Sequence, residues 1–576
     1  MTSRPNSPAS SPLRSRAVTL GAAAVALCLT LAGCTGAPPE ESEPLRAVTA
    51  TPEQPLTLVA EAGEEQASLQ TSRALFAAAP VVVLAGAGDV AAQRLAAAAA
   101  IALGAPLLIG AGSATGSADR DNTGADANDD AAAEPGAALA DELDRLGTEA
   151  VLAVGTSLDS PGLSVIAVDA SDTEVSRAAG RDLDATGDSN VAEIADLAAP
   201  ASDGGPVPSD AATAANPAED GDTLPAVVPG EPVEGTVALA VDADRNLASI
   251  ASARAAGVSV QLVPAASPNP QASGAAVDAL HASSTGSTLA IGPEFAAEAA
   301  LDWKIRAART GVQLPGGGQQ VFGSRQFVAL YGTPGTPSMG VLGEQDLAGA
   351  VQRTKDVAAP YQELTDKTVV PMFEMIATVA AGSAGPDGNY SHELDAATLR
   401  PWIDEAAAAG IYVVIDLQPG RTDFLTQAKQ YEELLRLPHV GLAIDPEWRL
   451  APDQVHLRQI GAVDTAEINT VTQWLAELTN QNSLPQKMVV LHQFRPSMIR
   501  DRASLDMTHP ELAMLIHADG LGSQPDKQAS WRALHEGAPA GIAWGWKNFY
   551  DEDTPMLDPA QTVQDVSPVP DLVTYQ

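Results

Sequence analysis

The segment His439–Leu450 reads HVGLAIDPEWRL, and its reading decides how the C-terminal half of the chain folds. Val440, Leu442 and Ile444 alternate with Gly441, Ala443 and Asp445, a period of two that predicts a strand. Residues two apart in a strand share a face, so Asp445 and Glu447 are expected to project side by side where the strand ends, with Trp448 next to them. Paired carboxylates beside an aromatic plane are a pattern that glycosidic-bond chemistry uses. Read alone, an ordinary charged loop has the same look.

Working outward, strand-like runs recur at 326–332 (QFVALYG), 369–377 (VVPMFEMIA), 411–417 (IYVVIDL), 488–494 (MVVLHQF), 512–519 (LAMLIHAD) and 541–546 (GIAWGW). Between them, AATLRPWIDEAAAAG, LTQAKQYEELLRL and EINTVTQWLAELTN space apolar residues as helices do. Alternating strands and helices over about 240 residues predict a TIM-like (β/α) barrel across 318–562, followed by a tail at 563–576. With 440–445 the strands number seven, and the 496–511 connector, holding Pro496 and Pro510, shows no helix. A distorted or incomplete barrel is therefore expected.

In such a barrel the chemistry sits at the C-terminal strand ends. Those ends carry Tyr331, Glu374, Asp416 with Gln418, Asp445 with Glu447, His492 with Arg495, and His517 with Asp519, and the last offers Trp544, Trp546 and Lys547. The polar convergence marks a ligand or catalytic site. Glu447 and Asp445 are the leading catalytic candidates, with Glu374 and Asp416 the next acids. Trp448, Tyr331, His492, Arg495, His517, Asp519, Trp544, Trp546 and Lys547 are the candidates for holding substrate. A metal site is the alternative chemistry, with Asp416, Asp445, His492, His517 and Asp519 as its ligands, although no tight ligand motif occurs. No cofactor signature is present, since LAGAGD around Gly86 and Gly88 lacks the full dinucleotide fingerprint.

GLAIDPEW resembles the DxxDxDxE strand of family 18 glycoside hydrolases, with Asp445 on the last aspartate of that motif and Glu447 on its general acid. Val440 and Ala443 stand where the motif has its earlier aspartates, and Pro446 separates the pair. AGIAWGW resembles the Trp-bearing last strand of those enzymes, and the Asp-x-Glu pair also resembles family 25 muramidases. The resemblance implies hydrolysis of an N-acetylated envelope polysaccharide. Glu447 would protonate the leaving oxygen, Asp445 would raise its pKa, and Trp448, Trp544 and Trp546 would stack on sugar rings. Core filling is the competing role for the tryptophans, and a non-catalytic adhesin or scaffold is the competing function for the barrel.

The front half has another texture. Every Trp lies at or after Trp303 and every Tyr at or after Tyr331. Residues 79–110 read strand, Ala-rich helix, strand, and are followed by a helix over Leu139, Leu143 and Leu146 and a strand ending at Gly155. The order recurs from Thr236, with Gly292 at the position of Gly155. This predicts two parallel, Rossmann-like α/β units at 67–169 and 236–310. ALGAPLLIG and the LxxLGxxxVLAVG pattern resemble the cell-wall-binding repeat 2 family, which implies adhesion to a wall polymer. Acidic, low-complexity stretches at 113–136 and 170–235 are expected to be a disordered insert and linker.

Arg14 and Arg16 precede an apolar run ending in Leu31-Ala32-Gly33-Cys34, the form of a secretory signal over residues 1–33. The ending resembles the bacterial lipobox, which implies acylation of Cys34 and anchoring to the outer face of the cytoplasmic membrane. Residues 34–66 would be a disordered tether. A net charge of −41 argues against a nucleic-acid partner. The whole reads as an exported envelope lipoprotein whose partners are the membrane, through Cys34, and cell-wall polysaccharide or peptidoglycan.

Overall fold

The computed structural model describes residues 45–110, 135–200, 224–283 and 286–576. Cys34, the signal and much of the acidic insert and linker lie outside the described residues. Among those described, no helix is long and apolar enough to cross a membrane.

The front half holds two four-stranded parallel sheets. One runs in the order Leu107–Gly110, Val81–Gly86, Ala150–Val154, Ser164–Val168. The other runs Ser259–Val263, Val237–Val241, Thr288–Ile291, Leu56–Val59. The Ala-rich helix Val90–Leu103 starts where the Asp89 side chain accepts the Ala92 N–H and stops at Gly104, whose φ of 64° favours glycine. Its small side chains allow close packing on Leu247–Ala255, and the two sheets share one apolar core. Two expectations need correction. Leu56–Val59 is a strand of the second sheet, not tether. Asp172–Ala179 and Val191–Asp196 are helices that bury Val175, Val191 and Ile194, so this part of the 170–235 stretch has enough apolar content to fold.

The C-terminal half is a closed, eight-stranded parallel barrel. Its strands are β1 (Arg325–Gly332), β2 (Thr368–Ala380), β3 (Tyr412–Leu417), β4 (Val440–Ile444), β5 (Lys487–Gln493), β6 (Leu512–Ala518), β7 (Ala543–Asn548) and β8 (Leu572–Tyr575). β1 pairs with both β2 and β8, which closes the ring and overturns the expectation of an incomplete barrel. The eighth strand comes from the segment read as a tail. It is four residues long, LVTY, and its partners β1 and β7 supply the pairing that its length cannot signal.

Period-two pleating sorts every barrel residue. Phe327, Val370, Val414, Ala443, Val490 and Leu515 point inward and form an apolar cluster capped below by Leu314 and Val321. Leu330, Phe373, Ile415, Leu442, Leu491 and Ile516 belong to the cluster packed against the outer helices. Two residues beyond Ala329, Met372, Val414, Ala443, Val490, Leu515, Gly545 and Leu572, the same faces carry Tyr331, Glu374, Asp416, Asp445, His492, His517, Lys547 and Thr574. The pleat thus gathers one polar side chain from each strand into a single layer.

At the barrel's lower rim, Lys487 is fully buried and its Nζ donates to the carbonyls of Leu437 (2.8 Å) and Val440 (2.9 Å). Burial pushes its pKa down to about 7. Between that value and the ordinary lysine range the unfolded chain holds the extra proton, so stability from this site rises with pH. The melting temperature of wild type minus that of Lys487→Met should therefore shift in favour of wild type from pH 7 to pH 10. A difference that stays flat would show that Lys487 remains charged when buried.

Candidate metal centre at the barrel mouth

Glu374 on β2, His492 on β5 and His517 on β6 meet at the centre of the polar layer. His492 Nε2 lies 2.9 Å from Glu374 Oε1, and His517 Nδ1 lies 3.7 Å from the same oxygen. All three side chains are fully buried. Glu374 Oε1, His492 Nε2 and both ring nitrogens of His517 nonetheless have no aligned hydrogen-bond partner. Buried polar atoms are almost always satisfied, so one such atom from each of the three side chains, all within 4.8 Å of one another, calls for an occupant. Tetrahedral zinc, with bonds of about 2.0–2.1 Å, sets its ligand atoms about 3.3 Å apart, between the two measured separations.

The outer contacts fit the same purpose. His492 Nδ1 donates to Asp519 Oδ2 at 3.0 Å, which leaves Nε2 aimed at the cluster. Thr574 donates to Glu374 Oε2 at 3.0 Å, steadying the carboxylate from the far side. Gly545 on β7 makes room for the His517 ring: a Cβ there would stand 2.6 Å from His517 Cδ2. Tyr331 donates to Asp416 Oδ2 at 2.8 Å and receives Gln418 Nε2 at 3.3 Å. Lys547 Nζ sits 3.4 Å from the centre of the Tyr331 ring.

Electrostatics divide the acids. Burial alone would raise Glu374, but the imidazoles of His517 and His492 hold it down at about 2. Burial pushes His517 down to about 3, so it is neutral and able to bind a cation. Burial opposes protonation of His492 too, yet Asp416 and Glu374 lift it well above its ordinary value. Burial, aided by Glu374 at Asp416 and by Asp416 and Asp519 at Asp445, raises both remaining carboxyls.

Asp445 and Glu447 are not neighbours on one strand face. β4 ends at Ile444, Pro446–Trp448 forms a short 3₁₀ turn, and Asp445 caps it by accepting the Glu447 N–H at 3.1 Å. Pro446 takes the first turn position, where it loses no hydrogen bond. Asp445 joins the buried layer, whereas Glu447 is half-buried and lines a groove of about 330 Å³ with Trp448, His456, Leu457, Arg458, Gln459 and Ile460. Its pKa is raised to about 7, first by burial and then by Asp519, so Asp445 is not the leading like charge.

Of the other candidates, Trp448 is at the groove and Arg495 is exposed beyond β5. Trp544 and Trp546 take no part. The pleat that turns Gly545 and Lys547 inward turns both indoles outward, where Trp544 stacks on His535 and both pack against Trp531. Core filling is their role. Thr574, supplied by the unrecognised eighth strand, is the contact sequence reasoning missed. Of the metal ligands expected from sequence, His492 and His517 fall in the cluster, Asp519 orients His492, and Glu374 takes the place given to Asp416 and Asp445.

Gly545→Ala should displace His517 while leaving the barrel folded. The expected result is metal affinity about tenfold or more below wild type with unchanged far-ultraviolet circular dichroism. Equal affinity would remove His517 from the centre.

No protein-family model matches the chain, and no curated protein matches it.

Proposed function

We propose that the barrel is a metal-dependent hydrolase, with Glu374, His492 and His517 as metal ligands and Glu447 as the acid–base residue. The observation that carries this reading is the convergence of orphaned, buried Glu374, His492 and His517 atoms on one point. Two imidazoles and a carboxylate serve zinc and also ferrous iron. A divalent cation there would supply Lewis-acid polarisation of the substrate. Asp519 fixes the tautomer of His492, and Glu447, at about 7, can give or take a proton near neutral pH. Trp448 offers the groove a flat apolar face.

The substrate and the address belong to the same proposal. An acylated Cys34 would hold the enzyme at the outer face of the membrane, with the front α/β sheets contacting wall polymer and an envelope polysaccharide as substrate. The support is the lipobox-like LAGC and the sequence resemblances of both halves.

Purified full-length protein should contain about one zinc or iron per chain, and Glu374→Gln should lose it. Turnover of muropeptides or chito-oligosaccharides should stop in chelator and return with the metal. Glu447→Gln should keep the metal but lower kcat about 100-fold or more. Turnover unaffected by chelator, with a metal-free protein, would sink the metal reading and leave Glu447 acting alone as in a glycosidase. For the address, Cys34→Ser should move the protein from the membrane fraction to the soluble one, and unchanged membrane association would rule out the anchor.

A further inference from the structure

Among the described residues, nearly every buried lysine and arginine gives its hydrogens to an oxygen. Lys304, Arg325, Lys487, Arg502 and Lys527 each donate to a carbonyl or a carboxylate. Lys547 is the exception. Only 3% of it is exposed, yet its ammonium makes neither a hydrogen bond nor an ion pair among the described residues. Its neighbours are aromatic faces, with the centre of the Tyr331 ring at 3.4 Å and that of Phe549 at 5.2 Å. A ring face attracts the charge but leaves the N–H donors without an oxygen.

Asp416 has the complementary shortage. It is fully buried, and its Oδ2 accepts the Tyr331 hydroxyl at 2.8 Å. Gln418 Nε2 donates to the same phenol oxygen, so the phenol proton is committed to Asp416. Oδ1 has no hydrogen-bond partner, and His492 Nε2 lies 3.8 Å from it. In a dry layer Lys547 and Asp416 would gain by meeting. Tyr331 keeps them apart, because it holds the ammonium on its ring face and the carboxyl at its hydroxyl. The two unpartnered groups are left for a ligand to bridge. An anion is a poor bridge, since Glu374, Asp445 and Asp519 stand in or beside the same layer and the chain carries −41. A hydroxyl has one donor and two acceptor lone pairs. It can take a hydrogen from Lys547 and still bond Asp416 Oδ1, whether that carboxyl is ionised or protonated.

We propose that Lys547 and Asp416 together bind one hydroxyl of a neutral saccharide, with Tyr331 as the spacer that sets the gap between them. The closeness of Asp416 Oδ1 to His492 places that hydroxyl beside the metal ligands. The proposal rests on reading the mouth as a saccharide site, but the binding itself needs no metal.

The test uses full-length protein and titration calorimetry with chitotriose, maltotriose and inorganic phosphate. Wild type should bind at least one of the two saccharides. Lys547→Met and Asp416→Leu keep much of the shape of each side chain without its polar atoms, and each should weaken that binding about tenfold. The double variant should lose less than the two single losses combined, because either change alone breaks the bridge. Where one single variant does not fold, the affinity of the other decides. Lys547→Met should match or exceed the wild-type melting temperature, since the ammonium gives up no polar partner. Unchanged saccharide affinity with a lowered melting temperature would make Lys547 a structural counter-charge and overturn the pair. So would no saccharide binding by wild type, fully additive losses, or Lys547-dependent binding of phosphate alone. Metal content is read in the same samples. Pair-dependent saccharide binding by a metal-free protein would refute the metal centre and leave the pair standing, and metal-loaded protein whose saccharide binding ignores both substitutions would do the reverse.

Discussion

Three carboxylates share one nearly dry layer of the barrel, with Asp519 just beyond it, and the mutual repulsion of the four is the constraint that the rest of the mouth answers. Glu374, Asp416, Asp445 and Asp519 all come within electrostatic reach of His492. Ionised together in a medium of low dielectric they would cost several kcal/mol each. The protein responds by holding Glu374 and Asp519 ionised against His492 and Lys547, while Asp416 and Asp445 are driven towards their neutral forms. Protons on those two groups do part of the work a bound cation would do. A divalent ion between Glu374 and the two imidazoles would displace the proton on His492, so that metal and protons compete for the same negative charge.

The barrel stands behind this balance as a rigid frame. Neither Glu374 nor His492 nor His517 sits on a loop, and each follows two or more inward apolar residues of its own strand. Their approach is set by strand register, with His492 opposite His517 across the β5–β6 pair and Gly545 opposite His517 across β6–β7. A ligand set built on strands has little freedom to relax when one member is lost. Glu447 is placed differently, on the short turn Pro446–Trp448 beyond the end of β4.

Much of the barrel was legible in the sequence because the first seven strands alternate cleanly or run apolar between helices with strong periodicity. β8 was not, since LVTY follows Pro568 and Pro570 and is too short to carry a pattern of its own. The polar strand ends were also readable, and so, in hindsight, was the fate of the last-strand tryptophans: Gly545 and Lys547 share a face that Trp544 and Trp546 cannot. What no single strand could reveal is the pairing of Glu374 with His492 and His517. That meeting depends on ring closure between residues more than a hundred positions apart. Asp445 and Glu447 failed as a same-face pair for a local reason, because the strand ends at Ile444 and Pro446 starts a 3₁₀ turn that Asp445 caps.

The front half carries a different kind of consequence. Leu56–Val59, which precedes every other strand of the two four-stranded sheets, completes the second of them beside Thr288–Ile291. The chain therefore runs out from one sheet, builds the whole of the other, and returns. Neither sheet is a detachable module, and a cut between them removes a strand from the half that remains. Synthesis imposes an order as well. The first strand emerges with its partner still more than two hundred residues away, and closing so long a loop is slow. Until that partner arrives, an apolar edge waits uncovered.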